Sequence, residues 1–92
     1  MSTQTSYKSN PIISFKDEGD EGAVLYNPDT DKVVIINAVG TAIWQFIEQP
    51  RTANKIVAML IENFSEVDEV KAHEDLKQFI GGFEEGFIDE IS

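Results

Sequence analysis

Between residues 12 and 36 the apolar positions fall into short runs separated by turn-forming residues. Ile12, Ile13 and Phe15 precede the charged, glycine-bearing segment Asp17-Glu18-Gly19-Asp20-Glu21-Gly22. Ala23-Val24-Leu25-Tyr26 follows, rich in strand formers. Asn27-Pro28-Asp29-Thr30-Asp31 is then a turn with a mechanism, because proline presets φ and Asn and Asp bond their own backbone. Val33-Val34-Ile35-Ile36 is an unbroken β-branched run bounded by turns, the pattern of a strand covered on both faces. Two or three antiparallel strands are expected over residues 12–36, and three make the more stable sheet.

At Asn37 the period changes from strand to helix. Asn37 is a good N-cap, and Val39, Ala42, Ile43, Phe46 and Ile47 recur on one helical face before Pro50, with Trp44 on its flank. Thr52 caps a second helix, whose stripe is Ile56, Val57, Leu60, Ile61 and Phe64. After a break at residues 65–68, the pattern predicts a third helix from about Glu69 to Glu85, with Gly86 as its C′ residue. Ala72, His73, Leu76, Phe79, Ile80 and Phe83 cover roughly 120° of its wheel. Gly81-Gly82 weakens its interior by about 1 kcal/mol per glycine relative to alanine, so a bend is expected there. Phe87-Ile88 is expected to tuck back beneath the sheet.

Strands followed by helices give the α+β class, and a three-stranded antiparallel sheet followed by three helices suggests a winged helix-turn-helix-like arrangement. Residues 1–11 are polar and read as a flexible N-terminal tail; residues 12–92 read as one domain, the size expected for 92 residues.

Composition narrows the chemistry. The chain has no cysteine, which removes disulfides and thiolate metal sites. No apolar run approaches the ~18 residues of a membrane helix, and a cytoplasmic protein is expected. Seventeen acids against seven bases, a formal charge of −10, disfavour phosphate backbones. On the third helix Lys71, Lys77 and Gln78 stand against Glu69, Glu74, Asp75, Glu84 and Glu85, so DNA recognition is a distant reading. The acidity keeps a small domain soluble or complements a partner with a basic face. One histidine, His73, supports neither a histidine metal cluster nor a Ser-His-Asp triad, and the glycines match no phosphate-binding fingerprint. An acyl-carrier-like protein lacks support too, since Phe64-Ser65-Glu66 is a poor attachment site and strands precede the helices. No enzyme activity, cofactor or metal is expected.

Several segments, taken in order, resemble the PqqD-like family, the recognition elements of ribosomally made, post-translationally modified peptides. Val24-Leu25-Tyr26-Asn27-Pro28 and Val33-Val34-Ile35-Ile36-Asn37 are similar to its paired strands and the asparagine that ends them. Gly40-Thr41-Ala42-Ile43-Trp44 resembles its motif ending in Ile-Trp. Arg51-Thr52 with Ile56, Val57 and Leu60 resembles its second helix. Glu74-Asp75-Leu76, Phe79-Ile80, Phe83 and Gly86-Phe87-Ile88 resemble its last helix and terminal step, although Gly81-Gly82 replaces strong helix formers.

The resemblance implies a non-catalytic module that binds a leader peptide by strand addition and presents it to a modifying enzyme, often a radical S-adenosylmethionine protein. Val33, Val34, Ile35 and Ile36 would then offer an edge whose unpaired backbone groups accept a peptide strand. Ala72, Leu76, Phe79 and Phe83 would supply apolar contact, with Asp75 and Lys77 at the charged borders. The alternative for Phe79 and Phe83 is core packing beneath the first helix. An open apolar edge also suits a homodimer. A generic protein-interaction adaptor is the competing function; neither reading involves nucleic acid or membrane.

Overall fold

The computed structural model describes residues 5–83 and 86–91. In chain order the elements are β1 (Ser6–Ser9), β2 (Ser14–Asp17), β3 (Ala23–Asn27), β4 (Lys32–Ile36), α1 (Ala38–Phe46), β5 (Arg51–Thr52), α2 (Ala53–Asn63), α3 (Glu69–Gly81) and β6 (Ile88–Ile91). The architecture is α+β.

The three strands expected over residues 12–36 form an antiparallel sheet in the order β2-β3-β4. Strand period two separates its faces. Phe15, Leu25 and Val34 stand in one cross-strand row on the core side, while Lys16, Val24 and Ile35 form a row on the other. Turn chemistry fixes this register. The Asn27 side chain accepts from the Asp29 N–H at 2.9 Å, and its carbonyl accepts from the Asp31 N–H at 2.8 Å, which leaves Asp31 at φ 60°. At the opposite end Gly22, at φ 106°, touches β4: a Cβ there would lie 1.9 Å from the Ile36 carbonyl oxygen. Only glycine fits that approach.

One expectation for β4 fails. Its unbroken apolar run suggested cover on both faces, yet Val33 is 58% exposed and Ile35 77% exposed. The helices pack on one face only, so the run marks an edge strand with an uncovered outer side.

The helices begin where their caps predict. The Asn37 side chain accepts from the Gly40 N–H at 2.8 Å, and Thr52 Oγ1 accepts from the Lys55 N–H at 3.3 Å. Asp68 caps α3 by accepting from the Lys71 N–H at 2.9 Å. Ile43, Trp44 and Ile47 of the first helical segment meet Ile56, Val57 and Leu60 of α2, Ala72, Leu76 and Phe79 of α3, and Leu25 and Ile36 of the sheet in one core. The third helix is shorter than its periodicity suggested. It ends at Gly81, with Gly82 as its C-cap, because two consecutive glycines remove the propensity that would carry it on. The expected continuation over residues 84 and 85 lies outside the described residues. Gly86, at φ 97°, therefore serves no helix C′ position; it lies just before β6, and Phe87 beside it is buried.

The segment expected as a flexible tail is also different. Residues 6–9 are the central strand of a second sheet, ordered β5-β1-β6, with Ser6 opposite both Thr52 and Ile91. The Ser9 N–H donates to the Ile47 carbonyl at 2.8 Å and the Asn10 N–H to the Phe87 carbonyl at 2.9 Å. Ser-Tyr-Lys-Ser has no apolar alternation to announce a strand; its partners, far away in sequence, make it one. Among the described residues no helix is long and apolar enough to cross a membrane.

Candidate functional site

Strand β4 pairs with β3 along one side, and among the described residues no strand pairs with its other side. Beside that free edge runs α3. Between them lies a groove of about 260 Å³. Val34, Ile35, Ile36 and Asn37 form the strand wall; Asp75, Gln78, Gly82 and Phe83 form the helix wall; Val39, Gly40, Ile43 and Phe79 lie between them.

The strand-to-helix junction shapes the floor. Asn37 turns the chain from β4 into α1, so the first turn of α1 passes beneath the groove. At Gly40 the helix comes close to its neighbours: a Cβ there would meet the Ile36 Cβ at 3.0 Å and Phe79 Cδ1 at 3.4 Å. A side chain at this position would fill the floor.

Aromatic packing fixes the far end. Phe83 makes an edge-on contact with Phe79 at 4.8 Å between ring centroids and tilted contacts with Phe87 at 5.3 Å and Trp44 at 6.0 Å. Such contacts stabilise a ring in one orientation. Phe79 and Phe83 thus touch both core and groove, so the choice between wall and core does not separate at these residues.

Asp75 is the one ionisable side chain among the described groove residues. Its side chain is 14% exposed, and its Oδ1 accepts from Lys71 Nζ at 2.8 Å, an i,i+4 pair on the helix surface. This hydrogen bond, reinforced by the charge of Asp75, raises the Lys71 pKa above its ordinary value.

The residues singled out in the sequence divide by position. Val34, Ile35, Ile36, Asp75, Phe79 and Phe83 come together around the groove. Val33 stands on the uncovered outer face of the sheet, with Tyr26 opposite it. Ala72 is fully buried in the core and gives a groove nothing to touch. Leu76 and Lys77 point away, toward a shallow depression shared with Tyr7, His73 and Ile80. At about 100° per residue Lys77 lies roughly 160° round the helix from Asp75 and from Phe79, while Leu76 is buried in the core. His73 is exposed, and does not belong to the apolar stripe in which its spacing placed it. Asn37, Val39, Gly40, Ile43, Gln78 and Gly82 were not anticipated; the junction of strand and cap was the signal, since it brings the start of α1 to the end of β4. Among the described residues no group of three or more His, Cys, Asp or Glu side chains is placed to hold a metal ion.

Two solved structures share this fold. One, described as TbiB1 in complex with the TbiA(beta) leader peptide, is 24% identical, with 82% of this chain and 85% of that chain covered and a TM-score of 0.67. The other, described as lasso peptide synthetase B1 complexed with the leader peptide, is 19% identical, with 94% and 98% covered and a TM-score of 0.69. At these identities the likeness is one of fold, and in the second it spans almost the whole chain. No curated protein matches by sequence. The family model of coenzyme PQQ synthesis protein D (PqqD) matches residues 22–86, a span that runs from β3 through α3 and takes in most of the chain. The chain belongs to the PqqD family.

Proposed function

We propose that this protein is a non-catalytic peptide-binding module that captures the leader of a ribosomally made precursor peptide and presents it to a modifying enzyme. The observation that carries the reading is the juxtaposition of an unpaired strand edge with an apolar groove. An added peptide strand would satisfy the free N–H and C=O groups of β4 whatever its side chains, and alternate side chains would enter the groove. Two structures of this fold, each described with a leader peptide bound, support the assignment of the ligand. A radical S-adenosylmethionine protein is the modifying enzyme we favour, on family resemblance. The same edge would serve pairing between two copies of the chain, so a homodimer formed through β4 would compete with the peptide.

Proline substitution tests strand addition. Consecutive N–H groups of a strand point to opposite sides, so one of Val34→Pro and Ile35→Pro removes a donor from the free edge and the other breaks the pairing with β3. The edge-facing variant should stay folded by circular dichroism and lose binding of a labelled leader peptide in fluorescence anisotropy. Undiminished binding in that folded variant contradicts strand addition at β4.

A second reading, a protein-interaction adaptor with no precursor peptide, draws on the outer face of the sheet. There Val33 and Ile35 stand exposed beside Val24 and Tyr26, an apolar patch that a protein surface would cover. Ile35→Lys would then abolish capture of the protein partner, which the edge-facing proline variant leaves intact; loss of capture in both variants favours the edge alone.

A further inference from the structure

The groove has a chemical bias. Its walls and floor are apolar or amide-bearing, and among the described residues Asp75 is its single ionisable group. Lys71 occupies Oδ1 of that carboxylate from the solvent side, with its own side chain 56% exposed. No described residue donates to Oδ2. A carboxylate accepts at both oxygens, so one acceptor at the groove wall stays available. The surroundings strengthen this, because a charge beside apolar walls is screened less than one in open water. The formal charge of −10 acts in the same direction at long range.

Spacing makes the bias specific. Asp75 and Phe79 are four residues apart on α3, about 6 Å along its axis. Two residues of an extended strand span about 6.6–6.8 Å. Where a peptide paired with β4 runs alongside α3, side chains on one of its faces would therefore fall in step with Asp75 and then Phe79. From this we infer that the groove selects an extended peptide bearing a lysine or arginine on the face toward α3, with an aliphatic or aromatic residue two positions away. The basic group binds Asp75, and the apolar one rests on Phe79 and Phe83 above Gly40. This inference rests on the peptide-binding reading above and specifies the chemistry of its ligand.

The test is selection of a displayed library of random nine-residue peptides on the full 92-residue chain, followed by sequencing of the retained peptides. The wild-type pool should be enriched in a basic residue spaced two positions from an apolar one. In Asp75→Asn the basic preference should fall about tenfold while the apolar preference remains, as expected for loss of one charge-assisted hydrogen bond. In Asp75→Lys it should invert toward acidic residues. Glu66→Gln changes the net charge equally at an exposed position outside the groove and should leave the wild-type pattern intact. Retained peptides without a basic position overturn the inference and leave peptide binding standing, as does a basic preference that survives Asp75→Asn or weakens equally in Glu66→Gln. Failure to retain any peptide overturns both readings.

Discussion

At the residue scale, neighbouring side chains of β4 have opposite tasks. Ile36 is buried in the core, while Ile35 stands 77% exposed at the edge. Ile36→Ala should cost about 2–5 kcal/mol in urea unfolding, the usual range for truncating a buried aliphatic side chain. Ile35→Ala should change stability by no more than about 0.5 kcal/mol, and its effect should appear in peptide binding instead. Tyr26 offers a second residue-level check. Its hydroxyl donates to the Asp31 carboxylate, and this bond, with smaller contributions from burial and from the Asp31 charge, raises the phenol pKa above its ordinary 10.0. A group whose pKa is raised on folding stabilises the protein below its unfolded pKa, and the contribution disappears as pH rises through the folded value. Stability should therefore decline above about pH 10, and the raised pKa of Lys71 pushes in the same direction at still higher pH. With Tyr7→Phe removing the other tyrosine, ultraviolet titration should show phenolate formation above the ordinary value. Adding Asp31→Asn should bring it back down; an unchanged titration contradicts the assigned bond.

At the element scale, the fold depends on the places where loops meet the end of β4. Gly22 touches the Ile36 carbonyl closely enough that any Cβ would force the β2–β3 loop away. Gly22→Ala should cost at least about 2 kcal/mol, combining a left-handed backbone with overpacking, and thermal unfolding measures it. The legibility of elements followed the range of the forces that create them. Asn37 and Thr52 cap the first two helices by bonds to N–H groups three residues away, so both starts were readable locally. The end of α3 was marked by Gly81-Gly82, although the apolar stripe reaching Phe83 suggested a longer helix. Strand β1 was invisible because Ser6 and Ser9 owe their pairing to Thr52, Ile88 and Ile91. The groove was half legible. The two elements that line it were predicted from β-branched and aromatic patterning and tied to peptide binding by the family resemblance. But Ala72 and Phe79 share nearly one helix phase, and only their different positions along α3 put the first wholly in the core and the second at the groove.

At the scale of the whole molecule, the second sheet ties the segment before β2 to the residues after α3, and the groove lies on the first sheet, where an edge remains free. Trp44, the chain's single tryptophan, is buried behind Phe83. Occupancy of the groove should therefore change its emission without any change of fold. Under the proposed function a bound peptide pairs with β4 and lies against α3. The measurement that tests this pairing most directly is an amide NMR titration of the isotopically labelled chain with a leader peptide from a precursor encoded beside it. Shifts should concentrate in residues 33–37 and in the face of α3 that carries Asp75, Gln78 and Phe79, with β1, β5 and β6 unmoved. Saturable binding whose shifts cluster instead on the second sheet or on α2 would contradict the pairing.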